Sequence, residues 1–302
     1  MFFLITMKRH TVKDWVLATR PWSFPASTMP VFVTIMFLWS KGIEISWCLG
    51  IMALVNIVLV HAAGNVWSDY HDYRRKVDAD DTYSVRTLVA GLFTPKEVLM
   101  LSVGLQIAAV AMGLAMVALT GTTLLWFGLA GIALSVLYPP LKYAALGDLV
   151  IMACYALLPM LGTTFICSGN IIPEILWLAV PVGSITVAIL HANNSRDIET
   201  DHRAGIKTFA MLTGRPAAIN IYIFELLLPY CWLLLTVILG YVSPWTLTAF
   251  VTLPLALGNC KQMLSFQKKG IEAIANLDEA TAKLQLAFSL TLAIGIIIKA
   301  LV

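Results

Sequence analysis

The sequence predicts an all-α protein that crosses a membrane about nine times. Three observations predict it. The 302-residue chain is 59% hydrophobic and only 12% charged, with a mean hydropathy of +0.84; a soluble domain carries about 25% charge. Its apolar residues fall into stretches of the ~20 residues that a helix needs to cross a bilayer. Its Lys and Arg residues gather on one side of the topology those stretches define.

The spans are expected at about 22–40, 48–67, 97–119, 122–140, 147–168, 173–193, 217–240, 244–262 and 282–301. Trp22 and Trp39 lie at the ends of the first, and Trp47 opens the second, where interfacial aromatics belong. Thr94-Pro95 precedes the third, Gly121 separates it from the fourth, and Pro139-Pro140 closes the fourth. Gly169 divides the fifth from the sixth, and Gly214-Arg215-Pro216 precedes the seventh. Ser243-Pro244 opens the eighth and Gly270 follows it. MFFLITM has no basic residue before its apolar run and no small-residue cleavage site, so it is not read as a cleavable signal. The whole of 1–302 is expected to form one polytopic membrane domain.

With the N-terminus in the cytoplasm, 18 of the 20 Lys and Arg residues fall on the inner side. Only Lys41 and Lys299 fall outside. That asymmetry supports both the nine spans and the N-in orientation.

Two acidic clusters end two of these apolar stretches. The first is Asn65, Asp69 and Asp72; the second is Asn193, Asp197 and Asp201. Carboxylates at a membrane boundary are costly and mark function. Asn65 and Asn193 are 128 positions apart, and so are Asp69 and Asp197. The clusters end the second and sixth spans, so both helices run the same way, a parallel pseudo-repeat about the membrane normal. On a helix, positions i, i+4 and i+8 share one face. Each cluster therefore offers two carboxylates and an amide oxygen, hard ligands suited to Mg²⁺ and a bound phosphate. Segments 68–96 and 194–216 are the longest polar loops expected, and would cap the site.

The basic residues complete the set. Lys142 is the only Lys or Arg in its loop and is the first candidate for a diphosphate ligand. Tyr138, at the head of the same YPPLKYAALGDL segment, is grouped with it. Arg86, Arg196 and Lys207 are further candidates, and Asn193 and Asn194 flank the second metal set. Arg74, Arg75 and Lys76 read as determinants of orientation, and His61 and His191 as residues that tune or pack beside the cluster Asn residues. The five Cys show no metal spacing and read as small packing residues. No G-x-S-x-G, P-loop or GxGxxG motif is present. Nothing points to a nucleic-acid partner.

At these residues the chain resembles the UbiA superfamily of intramembrane prenyltransferases. Asn65, Asp69 and Asp72 match the first family motif, and Asp197 and Asp201 the second. Within the superfamily it is most similar to the menaquinone branch, meaning the bacterial dihydroxynaphthoate polyprenyltransferases and their animal vitamin-K₂-forming relatives, in RPWSFPAS (20–27), GNVWSDYHDYRRKVD (64–78), DDTYSVRTLVAG (80–91), KYAALGDL (142–149) and ILHANNSRDIETDHRAGIKTFA (189–210). Ser68 stands where many bacterial members have Asn. The resemblance implies a UbiA-type bundle and Mg²⁺ held by the two motifs. It also implies transfer of a polyprenyl group from a polyprenyl diphosphate to an aromatic acceptor. In the menaquinone branch the acceptor is 1,4-dihydroxy-2-naphthoate, which loses CO₂ to give demethylmenaquinone. The protein is then expected in a bacterial inner membrane, with its site facing the cytoplasm. Other acceptors (4-hydroxybenzoate, homogentisate, haem) stay open from the residues alone. So does a secondary transporter, although transporter sites lie nearer the bilayer midplane.

Overall fold

The computed structural model describes residues 10–76 and 87–302. Among these, α1 (Val12–Ala18) leads into α2 (Pro25–Ser40), α3 (Trp47–Arg74), α4 (Pro95–Thr120) and α5 (Thr123–Lys142). A bent span follows, made of α6 (Gly147–Met152), a π-helical turn (Ala153–Leu157) and α7 (Leu158–Ser168). Then come α8 (Leu176–Arg196), the short α9 (Ile198–Arg203) and α10 (Phe209–Thr213), and α11 (Arg215–Ile238). A 3-10 stretch (Pro244–Thr252) runs into α12 (Leu253–Lys269), and α13 (Leu277–Leu301) closes the chain. The all-α membrane fold expected from the sequence is the one observed.

Eight helical segments among the described residues are long and apolar enough to cross a bilayer. They correspond to eight of the nine expected spans. The exception is 244–262, which is not one α-helix but a 3-10 run followed by α12. Pro254 sits in the first turn of α12, where its missing N–H is tolerated and a new helix begins. Asn259, Lys261, Gln262 and Lys268 further dilute the apolar character of α12.

Helix ends follow local chemistry. Thr94 and Glu97 form a reciprocal capping box ahead of α4, with Pro95 in its first turn. Gly169 adopts φ 73° to terminate α7, a left-handed conformation that costs glycine little. The 28-residue α3 is about 42 Å long at 1.5 Å per residue, against a hydrocarbon core of about 30 Å. That length lets its last turns, which carry Asp69 and Asp72, reach past the core. The sequence expected the helix to stop near residue 67; it continues to Arg74.

Lipid is as apolar as leucine, so helices in a bilayer associate through close approach and interhelical hydrogen bonds. Both occur around α8, which packs against α6, α11 and α13. A Cβ added at Gly183 would lie 2.7 Å from Ala156 Cβ, so the missing side chain lets α8 meet the π turn. Ser184 Oγ donates to the Glu225 carbonyl of α11 at 2.7 Å. Tyr222 of α11 and Thr281 of α13 share a 2.6 Å hydrogen bond. Farther along, a Cβ at Gly295 would collide with the Trp245 carbonyl, so α13 lies against the backbone of the 3-10 stretch.

Candidate active site

The two acidic clusters converge. Asn65 and Asp72 from α3, and Asn193, Asn194, Asp197 and Asp201 from α8 and α9, line one cavity of about 520 Å³. Both clusters end their long helices at the C-terminal end, as the parallel repeat requires. The second cluster is not one straight helix. Asp197 caps α8 with φ −93° and ψ 11°, and α9 restarts beyond it. The 2.8 Å bond from Asp201 N–H to the Asp197 carbonyl preserves the one-turn spacing.

Each carboxylate has a different environment. Asp72 accepts from the Tyr143 hydroxyl at 2.7 Å and faces Lys142 Nζ at 3.5 Å. Asp69 pairs with Arg20. Asp197 is held by two bonds from Arg196, at 2.8 and 3.0 Å. Burial pushes the Asp201 carboxyl up to about 7; Lys142 opposes the shift and the Asp197 and Asp72 carboxylates reinforce it. Burial, then the Asp72 carboxylate, hold the Tyr143 phenol above its usual range, so it stays a donor. Asn65 spends its amide hydrogens on the Thr19 carbonyl (2.9 Å) and Ser23 Oγ (3.0 Å), which directs donor atoms away and leaves the carbonyl oxygen for a cation.

The cationic candidates separate in space. Lys142 lines the cavity with Tyr138. Arg196 does not. It is 5% exposed, and besides Asp197 it donates to Asp278 (2.8 Å), the Ala275 carbonyl (3.2 Å) and Asn193. Its guanidinium joins α8 to the start of α13 and holds Asp197 and Asn193, where the sequence suggested a diphosphate ligand. Lys207 is exposed, and its backbone N–H bonds to the Tyr143 carbonyl at 3.1 Å. It ties two loops together outside the cavity wall. Arg86 lies outside the described residues.

Sequence reasoning missed three neighbours. Arg20, Ser23 and Asp278 all line the cavity. Arg20 was counted only as an orientation determinant, and Asp278 shares no spacing with either cluster. His61 is packed and polar at once, with its ring nitrogens 2.8 Å from Ser27 Oγ and 3.2 Å from Ser23 Oγ. Behind the polar rim the cavity runs on between apolar side chains of α4, α5 and α7, including Leu114, Val117, Phe127, Leu158 and Ile166. The π turn contributes Cys154 and Tyr155 to this wall, a common use of such turns. One end of the cavity is suited to a cation and an anion, the other to a hydrocarbon.

The oxygen-rich donor set fits Mg²⁺. Asn65, Asp72, Asn194, Asp197 and Asp201 offer carboxylate and amide oxygens with no sulfur or imidazole among them, as a hard cation prefers.

Comparison with known proteins agrees with the geometry. The UbiA prenyltransferase family model matches residues 27–276. "UbiA prenyltransferase domain-containing protein 1" of Mus musculus is 33% identical over 301 residues, covering 96% of this chain and 85% of that protein. The Drosophila melanogaster homologue is 35% identical over 260 residues, covering 81% and 70%. Among solved structures, the apo UbiA homologue from Aeropyrum pernix K1 superposes with a TM-score of 0.69 at 18% identity, over 96% of this chain and 99% of that one. The Archaeoglobus fulgidus UbiA homologue bound to GPP and Mg²⁺ gives 0.62 at 14% identity, over 93% and 99%. The fold, the convergent acids and the family match lead to one conclusion: this chain belongs to the UbiA prenyltransferase family and is an integral-membrane prenyltransferase.

Proposed function

We propose that the enzyme transfers a polyprenyl group from its diphosphate to 1,4-dihydroxy-2-naphthoate, with loss of CO₂, in menaquinone formation. The observation that carries the donor half is the single cavity with carboxylates and Lys142 at its rim and an apolar passage behind them. The naphthoate acceptor rests on the resembling segments 20–27, 64–78, 80–91, 142–149 and 189–210. A UbiA homologue binds GPP and Mg²⁺ together, which supports the same donor chemistry here.

Asn65, Asp72, Asp197 and Asp201, with Asn193 or Asn194, would hold Mg²⁺, and Asp69 would complete the first set on leaving Arg20. Bound Mg²⁺ would supply positive charge to the departing diphosphate. Lys142 stands beside Asp72 at the cavity, so its ammonium would stabilise the diphosphate's charge as the allylic C–O bond breaks. Arg20, which lines the same cavity, would be a second such donor. Tyr138 orients the diphosphate beside Lys142. The diphosphate leaves with the bonding electron pair. The naphthoate ring carbon bearing the carboxylate forms the new C–C bond, and that carboxylate departs as CO₂, restoring the aromatic ring. The apolar wall holds the prenyl chain and keeps water from the carbocation. The product is the quinol form of demethylmenaquinone.

The charge asymmetry supports an N-in orientation with the site at the cytoplasmic face; the mouse and fly relatives are animal proteins and lend no support to the bacterial inner membrane expected from the sequence. Mass spectrometry of products tests the acceptor. Membranes supplied with Mg²⁺, a polyprenyl diphosphate and each candidate acceptor should yield prenylated naphthoquinol lacking the carboxyl mass. Prenylation of 4-hydroxybenzoate or homogentisate with none of the naphthoate would refute the assignment.

A further inference from the structure

A second polar cluster lies where α6 and α11 pack against α8. Asp148 opens α6, His191 lies near the end of α8, and Glu225 sits ten residues into α11. His191 Nδ1 is 3.4 Å from Glu225 Oε1 and 3.9 Å from Asp148 Oδ2. One donor atom from each of the three residues falls within 4.8 Å of the others. None of the three side chains lines the active-site cavity. His191 is about 200° around the helix from Asn193 but only about 60° from Asn194 at 3.6 residues per turn, so the cluster adjoins the cavity without sharing a side chain with its lining.

The cluster is buried, and its carboxylates are only partly satisfied. His191 is 1% exposed and Glu225 9%. His191 faces Glu225 and the Ala218 backbone, but Asp148 Oδ1 and Oδ2 and Glu225 Oε2 have no hydrogen-bond partner. Buried polar atoms are nearly always satisfied, and two carboxylates this close repel each other unless a positive charge intervenes. Glu225 is also the only charged residue of the seventh expected span, where an ionisable group is expensive and functional.

We infer that Asp148, His191 and Glu225 form a binding site for a first-row divalent cation of the Zn²⁺ type, separate from the Mg²⁺-binding acids. Zn²⁺ bonds imidazole nitrogen and carboxylate oxygen at about 2.0–2.2 Å, which at tetrahedral angles spaces the ligand atoms about 3.4 Å apart. The observed separations of 3.4 and 3.9 Å match that spacing with little movement. Two carboxylates and a neutral imidazole balance the cation's two charges. Mg²⁺ fits less well, because it sheds water reluctantly and takes oxygen ligands. The cation would pin α6, α8 and α11 to one another, fixing the helix that carries Asn193, Asn194 and Asp197.

The test uses the full-length protein in detergent micelles, stripped with EDTA and re-equilibrated with Zn²⁺ under excess Mg²⁺. Bound zinc is then counted by mass spectrometry of the eluted metal. One zinc per chain is expected in the parent and in the D72N/D197N variant. It should be lost in His191→Ala and in Glu225→Gln. Zn²⁺ should also raise the thermal-unfolding midpoint of D72N/D197N and leave that of Glu225→Gln unmoved; this second reading decides if His191→Ala fails to fold. A parent that binds no zinc would overturn the inference. So would zinc retained by Glu225→Gln, or zinc lost from D72N/D197N.

Discussion

Replacing Arg196 by Met keeps the aliphatic stem and removes the guanidinium. In the structure that group makes two bonds to Asp197 and one each to Asp278, the Ala275 carbonyl and Asn193. Its loss strands two carboxylates that share one cation. Truncating one partner of a buried ion pair costs about 3–5 kcal/mol. The side chains of Asp197 and Asp278 are 20% and 23% exposed, so water screens part of the penalty and about 2–3 kcal/mol remains. At roughly 2 °C per kcal/mol for a chain of this size, the unfolding midpoint should fall by about 4–6 °C. Neutralising the second carboxylate in R196M/D278N should recover about half of that loss, because the two residues are coupled. Tryptophan fluorescence on heating in micelles measures the midpoint, and steady-state kinetics measure KM for the prenyl diphosphate beside the Mg²⁺ requirement. The variant should need more Mg²⁺, since Asp197 is no longer held in place. An unchanged midpoint with a KM for the diphosphate raised more than tenfold would refute the reasoning and make Arg196 a diphosphate ligand.

Other consequences are open to measurement. Lys142→Met should lower kcat by about 10²–10³-fold, the usual loss for a charge-stabilising donor, with little change in the unfolding midpoint; steady-state rates of diphosphate release check it. Asp201 must give up its proton to bind a cation, and its carboxyl is pushed up to about 7. Mg²⁺ affinity should therefore be flat above that pH and fall as pH drops through it, approaching tenfold per pH unit. Binding isotherms across pH read this, and Asp201→Asn should remove the slope. Gly295→Ala should destabilise by about 1–3 kcal/mol, because the new methyl meets the fixed Trp245 backbone; the unfolding midpoint reports it.

The spans and the acidic clusters were legible because each breaks a rule of composition that lipid enforces. Asp69, Asp72, Asp197 and Asp201 stand out as acids at the ends of apolar runs, and helical spacing groups them. The 128-residue offset placed both sets at one end of the bundle; Asp72, Asp197 and Asp201 line one cavity there, while Asp69 lies outside its lining, paired with Arg20. What stayed hidden depends on contacts distant in sequence. Arg20 reaches Asp69 across 49 positions, and Arg196 reaches Asp278 across 82. Both look like ordinary charges beside a membrane until the fold brings their partners to them. Arg196 illustrates the difficulty, since the same guanidinium can grip a phosphate or a carboxylate, and only its direction decides. Residues 244–262 were hydrophobic enough to suggest an ordinary span, but Pro244 and Pro254 break that segment into two kinds of helix.

The central claim is that two acidic clusters at one rim of the cavity act together on a prenyl diphosphate. Diphosphate release by the purified enzyme with naphthoate acceptor, measured for Asp72→Ala and Asp197→Ala at saturating Mg²⁺, tests it most directly. Each substitution alone should lower the rate by at least about 10³-fold, and the pair should be little worse than either, because residues acting as one unit are not additive. Undiminished release by either single variant would contradict the account.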